Sequence, residues 1–152
     1  MTLPWQSEKP ILDCPERLRP NDPMHPITET LQPVLAQHPY IRQVIVFGSV
    51  AAGRPRADSD LDIAVQARRP LTTEQKIALI DDLTLATGRP IDLIDLKTVG
   101  EPLLGQIIKH GQRITGSDDD FVALVSKHLL DAADFLPYVE RMLDERQRAW
   151  TS

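Results

Sequence analysis

Cysteine is almost missing from this chain: Cys14 stands alone among 152 residues. One thiol cannot close an intramolecular disulfide or build a cysteine metal site, so packing has to hold the fold and the thiol reads as incidental. Long apolar runs are absent too. None approaches the ~20 residues that a membrane span needs, and the opening MTLPWQSEKP lacks the apolar segment of a signal peptide. A cytoplasmic protein is expected. Positive charge is also scarce: 17 Lys and Arg stand against 22 Asp and Glu, a net charge of −5. A dedicated nucleic-acid binder usually carries the opposite, a basic footprint. Neither nucleic acid nor membrane is therefore expected as a partner. A small acidic protein suits a basic protein partner, although net charge names none. The four histidines, His25, His38, His110 and His128, show no metal-ligand spacing and read as structural or surface groups.

What remains is ordinary for one soluble domain with a real core, 41% hydrophobic and 26% charged residues. Residues 1–26 hold six prolines, at 4, 10, 15, 20, 23 and 26. Proline lacks the backbone donor and blocks regular helix, so this is a Pro-rich N-terminal arm. It is either pinned to the domain by Trp5, Ile11, Leu12, Leu18 and Met24 or loose. Residues 27–116 are expected to form the core, and 117–152 a helix packed on that core or on a partner. Helical spacing of Ile27, Leu31, Val34 and Leu35 predicts a helix over 28–37 capped by Thr28, kinked or restarted at Pro33. The β-branched run Ile41–Phe47 predicts a buried strand. A short helix over 48–53, a polar loop and a strand over 60–66 follow. A helix capped by Thr72 or Thr73 should run to Thr87 and stop at Gly88. A strand over 90–96, a helix over 101–110 closed by Gly111 and a short edge strand over 112–115 come next. Ser117 should cap a long helix from Asp118 to about Trp150. Asp118, Asp119 and Asp120 favour its positive end, Arg146 and Arg148 the other, and a bend is expected at Pro137. Together these elements predict an α/β (α+β) fold, a small mixed sheet flanked by helices with a long C-terminal helix. No repeat and no second domain is visible.

The chemistry is concentrated in VIVFGSVAAGRPRADSDLDIAV, Val44 to Val65. Residues two apart in a strand share a face, so Asp60 and Asp62 point the same way while Leu61 turns into the core. Two carboxylates on one face repel unless a cation lies between them or one keeps its proton. The natural cation is hard and divalent with oxygen ligands, such as Mg²⁺, which also leans on substrate phosphates. Just upstream, Gly48 permits close backbone approach, and Ser49 can open a helix whose N–H groups bind phosphate. Metal carboxylates facing a phosphate cradle are the parts of a nucleotidyl transfer site, in which two metals ~3.5–4 Å apart clamp the attacking and leaving oxygens. Arg54 and Arg56, on the loop between cradle and carboxylates, are either charge clamps for the triphosphate or solvated loop residues.

Gly48-Ser49, ten residues, then Asp60-x-Asp62 resembles the GS-x10-DxD signature of the polymerase-beta-like nucleotidyltransferase superfamily. The short chain looks most like its minimal nucleotidyltransferases (MNT), often the antitoxin partners of HEPN-domain toxins. The resemblance covers roughly Tyr40 to Gly116 and implies that fold, ATP as substrate and a two-ion Mg²⁺ site. It also implies a third carboxylate early in the last core strand, which Asp92 of IDLIDL matches. Asp60, Asp62 and Asp92 are then the implied metal ligands, with Asp92 also helping to activate the attacking hydroxyl. Gly48, Ser49 and Arg54 are the implied nucleotide contacts. Asp95, three residues from Asp92 and on the opposite strand face, is expected to be a solvent-facing strand-end residue. One departure stands out: many minimal members carry arginines directly after Gly-Ser, where this chain has Val50, Ala51 and Ala52.

The function implied by the resemblance is an antitoxin that adenylylates its partner, moving AMP from ATP to a tyrosine of the HEPN RNase toxin. The alternatives are an antitoxin that inhibits by contact alone, or a small-molecule nucleotidyltransferase. The latter usually has an added helical domain for which there is little room here. The long C-terminal helix has more apolar positions than one buried stripe uses, which leaves a spare face for docking or for packing on the chain's own sheet.

Overall fold

In the computed structural model the described residues are 25–53 and 59–151; residues 1–24 of the arm expected over 1–26, and the loop with Arg54 and Arg56, lie outside them, while residues 25 and 26 belong to the first helix. The elements run α1 (His25–Ala36), β1 (Ile41–Phe47), α2 (Gly48–Ala51), β2 (Leu61–Ala67), α3 (Thr73–Thr87), β3 (Ile91–Asp95), α4 (Leu103–His110), β4 (Gln112–Thr115) and α5 (Asp118–Thr151). The four strands stand in the order β3-β2-β1-β4. β1 is antiparallel to both its neighbours, while β2 and β3 are parallel. A parallel pair cannot be joined by a hairpin, and α3 supplies the crossover.

Alternation along the strands builds a core on each face. Val44, Val46, Leu61, Ile63 and Val65 meet Leu31 and Val34 of α1 and Leu79 and Leu83 of α3. The intervening Ile45 and Ala64 meet Leu104 and Ile107 of α4 and Leu124 of α5. Each fully buried aliphatic chain of this kind contributes ~1.5–3 kcal/mol, so the two layers together fix the strand ends.

Helix boundaries show where local signals yield to packing. α1 begins three residues before the expected cap, with Pro26 in the first turn, where the missing N–H costs nothing. Thr28 is therefore inside the helix and 8% exposed, and the helix continues through Pro33. α3 is capped by Thr72 in a reciprocal capping box with Gln75, and Gly88 ends it in the left-handed conformation. Gly111 follows α4 in an extended conformation instead; a Cβ there would lie 2.4 Å from Ile45 Cγ2, so close packing against β1 requires the glycine. Ser117 Oγ accepts from Asp120 N at 3.1 Å and opens α5, which runs on through Pro137. The first turns of α5 are tied down. Arg42 bridges Asp120 at 3.2 Å, Lys127 Nζ donates to Val99 O at 3.1 Å, and His128 contacts Glu101. Only Leu124 of α5 is buried. Among the described residues no helix is long and apolar enough to cross a membrane.

Candidate active site

Parallel pairing of β2 with β3 sets Asp62 directly beside Asp92. Asp62 shares its face with Ala64, and Asp92 with Ile94, so both carboxyls lie on the α4/α5 side of the sheet, at the end where β2 and β3 begin. They are within hydrogen-bonding reach of one another. The Asp62 carboxyl is held above its ordinary 3.8, first by burial, then by the charge and hydrogen bond of Asp92, then by the charge of Asp60. Asp60 lies one residue before β2 and is exposed.

The close of β1 brings the glycine turn onto this pair. Phe47 is registered against Asp62, and the next residue, Gly48, has φ +74. A Cβ at Gly48 would stand 2.0 Å from Asp62 Oδ2. Both the left-handed backbone and the space occupied by the Asp62 carboxylate thus demand glycine. Ser49 is the exposed second residue of α2, whose cap position is Phe47, so its hydroxyl does not cap the helix. Val50 roots α2 in the core at 3% exposure. The first position after Gly-Ser is thus an apolar anchor in this chain.

Asp62 and Asp92 therefore stand side by side next to the Gly48 turn, with Asp60 near enough for its charge to act on Asp62. Arg54 falls outside the described residues. The pair in contact is Asp62–Asp92; among the described residues no three Asp, Glu, His or Cys groups are already drawn together at metal-ligand spacing. Two carboxyls in contact hold either one proton or one cation. The oxygen donors of such a pair suit a hard divalent ion.

Asp95 departs from expectation. It is 5% exposed, not solvent-facing. Its Oδ2 accepts from Leu71 N at 2.8 Å and its Oδ1 from Lys97 N at 2.9 Å. It ties the end of β3 to the segment entering α3. Sequence reading also missed a cluster at the opposite end of the sheet. There His38 joins Tyr40 Oη at 2.9 Å to Asp82 at 2.8 Å, and the Tyr40 phenol is pushed up by burial and then by Asp82. Tyr40, Arg42, Arg68 and Arg69 border a shallow concavity of about 600 Å³ there. No local pattern signals contacts that span 44 residues.

The profile of a family described as polymerase beta, nucleotidyltransferase, matches residues 29–120. The chain belongs to the polymerase beta nucleotidyltransferase family. That match contains every element around the aspartates and ends in the first turn of α5. The chain is 30% identical over 82 residues to the protein adenylyltransferase MntA of Shewanella oneidensis, covering 54% of this chain and 59% of the relative. The chain thus spans about three fifths of that curated relative. A solved toxin–antitoxin complex with AMP-PNP has a chain that superposes with a TM-score of 0.71 at 23% identity, over 79% of this chain and 98% of that one. The MNT antitoxin in complex with a tri-AMPylated Shewanella oneidensis HEPN toxin gives 0.62 at 22%, over 82% and 96%. At these identities the two structures establish a common nucleotidyltransferase fold.

Proposed function

We propose that this chain is the antitoxin of an MNT/HEPN pair and a Mg²⁺-dependent protein adenylyltransferase, moving AMP from ATP to a tyrosine hydroxyl of its HEPN toxin. The observation that carries this reading is the Asp62–Asp92 contact seated on the Gly48 turn, within a nucleotidyltransferase fold. The relatives supply the acceptor class: one is named a protein adenylyltransferase, and one is bound to an AMPylated toxin.

Asp62, Asp92 and Asp60 would hold Mg²⁺, which supplies charge neutralisation for the triphosphate and the leaving pyrophosphate. Gly48 leaves the turn flush with Asp62, so that the Ser49 hydroxyl and adjacent N–H groups meet the β and γ phosphates. Arg54 adds charge from the loop. The tyrosine oxygen attacks the α-phosphorus, the bond from that phosphorus to the bridging oxygen breaks, pyrophosphate leaves, and Asp92 receives the phenolic proton. The test is mass spectrometry of a HEPN toxin incubated with this chain, ATP and Mg²⁺. One AMP adduct on a tyrosine is expected. It should vanish with EDTA and with Asp62→Asn.

A second reading, inhibition by contact without transfer, is favoured by the uncharged turn Val50-Ala51-Ala52, whose first residue is committed to the core. It predicts full neutralisation of the toxin by Asp62→Asn with no adduct from either protein.

A further inference from the structure

The end of the sheet opposite the aspartates carries the opposite charge. Ala67 closes β2 five residues beyond Asp62, about 17 Å along a strand. The concavity of about 600 Å³ at that end is lined by Arg42, Arg68 and Arg69, and among the described residues by no acidic side chain. The chain as a whole has a net charge of −5, so three guanidinium groups around one hollow run against its composition. Arg68 and Arg69 are exposed and make no hydrogen bond or ion pair among the described residues. Arg42 contacts Asp120 through Nε at 3.2 Å. Part of its charge is thereby offset, and the other two arginines dominate the hollow. A concave surface lined by one sign of charge concentrates its field on an incoming ion.

Buried groups hold this surface in place from behind. Ala67 and Leu71 flank the Arg68-Arg69-Pro70 bend and are 5% and 7% exposed. Leu71 N is tied to Asp95 Oδ2 at 2.8 Å, and Pro70 restricts Arg69 to extended backbone. Thr72 and Gln75 line the same hollow where their capping box opens α3, so the positive end of that helix adds to the field. Tyr40 forms another wall, held by His38, which is held by Asp82. Its phenol is raised above the ordinary 10.0, stays neutral at physiological pH and does not repel an anion. Size and charge then define the ligand. The volume lies in the range of small-molecule sites, and guanidinium forks pair with phosphate oxygens two at a time. Two linked phosphates present several acceptor oxygens within that space. A nucleic-acid strand needs a basic track that continues along the surface, and this acidic chain confines its arginine cluster to one hollow.

We propose that this concavity is a second anion site, separate from the Asp62–Asp92 pair, which binds the pyrophosphoryl group of a small molecule through Arg68 and Arg69. That group is shared by nucleoside diphosphates and inorganic pyrophosphate. The inference does not depend on the toxin reading above. The test is calorimetric titration of the full chain with inorganic pyrophosphate and with ADP, in EDTA, so that the acid pair has no cation with which to attract phosphate. Wild type is compared with Arg68→Ala/Arg69→Ala and with Arg146→Ala/Arg148→Ala, which removes the same charge from the exposed end of α5. All three chains should melt at the same temperature, since only exposed positions change. Wild type and the α5 variant should bind pyrophosphate equally, and Arg68→Ala/Arg69→Ala at least about tenfold more weakly. Tighter binding of ADP than of pyrophosphate assigns a nucleotide to the site, and equal binding assigns the pyrophosphoryl group alone; both uphold it. Absence of binding by wild type, equal binding by wild type and Arg68→Ala/Arg69→Ala, or equal weakening in both variants overturns the proposal. Tighter binding of a hexaglutamate peptide than of pyrophosphate, lost in Arg68→Ala/Arg69→Ala, assigns the hollow to an acidic protein segment and likewise overturns it.

Discussion

Two aspartates of β3, three residues apart, have opposite fates. Asp92 points to the face shared with α4 and α5, where a second carboxyl waits in register. Asp95 points to the face covered by α3, where two backbone N–H groups converge on it. The first pair is unfavourable as it stands: like charges meet, and burial raises the cost of ionising Asp62. The second arrangement is favourable: each carboxylate oxygen accepts a charge-assisted hydrogen bond. Residues organised for a ligand are left in mutual conflict by the fold, whereas residues organised for the fold are satisfied without one.

The contrast can be broken in order of effect. Asp92→Asn should lower AMP transfer on the order of a thousandfold, ~4 kcal/mol of barrier, and leave the melting temperature at or above that of wild type. A fall in stability would mean that Asp92 is structural after all. Gly48→Ala should cost activity about a hundredfold by displacing the Asp62 carboxylate, and ~1–2 kcal/mol through the left-handed backbone. The double variant Gly48→Ala/Asp62→Ala should recover part of the stability but none of the activity. Asp95→Ala should do the reverse of Asp92→Asn. Loss of two buried acceptor contacts costs about 2–3 kcal/mol, a drop of about 5–10 °C at this chain length, while the rate per folded molecule changes less than twofold. A large loss of rate at unchanged stability would erase the distinction between the two faces.

How much of this was legible before the structure follows from the range of each signal. The strand Ile41–Phe47, the edge strand Gln112–Thr115 and the start of α5 are local patterns, and they stand where period and composition place them. Period two also puts Asp92 and Asp95 on opposite faces. It cannot say which face α3 will bury, so Asp95 read as solvated. Nor can spacing supply the Asp62–Asp92 register, which depends on a parallel crossover. Thr28 looked like a cap because Ser and Thr favour that role; Pro26 takes the first turn instead, and the helix starts earlier. Gly111 looked like a left-handed helix end, yet it is glycine because Ile45 lies against it. At Asp95 and Gly111 a contact distant in sequence outweighed a local preference; at Thr28 one local preference outweighed another.

The mildest prediction concerns protons. Asp62 has its carboxyl raised in the folded protein, so between pH ~3.8 and that raised value the folded state binds more protons than the unfolded one. Stability from this group is present below the unfolded value and is lost as pH rises through the folded value. Without divalent ions, the wild-type chain should lose stability relative to Asp62→Asn as pH rises through this window. The two curves should then run parallel at higher pH. Mg²⁺ should close the gap for the wild type only, since it replaces the proton that the pair has given up. Urea denaturation across this pH range, with and without Mg²⁺, measures the difference. Parallel curves throughout would show that Asp62 and Asp92 do not interact, and the site would lose the physical basis for attracting a metal.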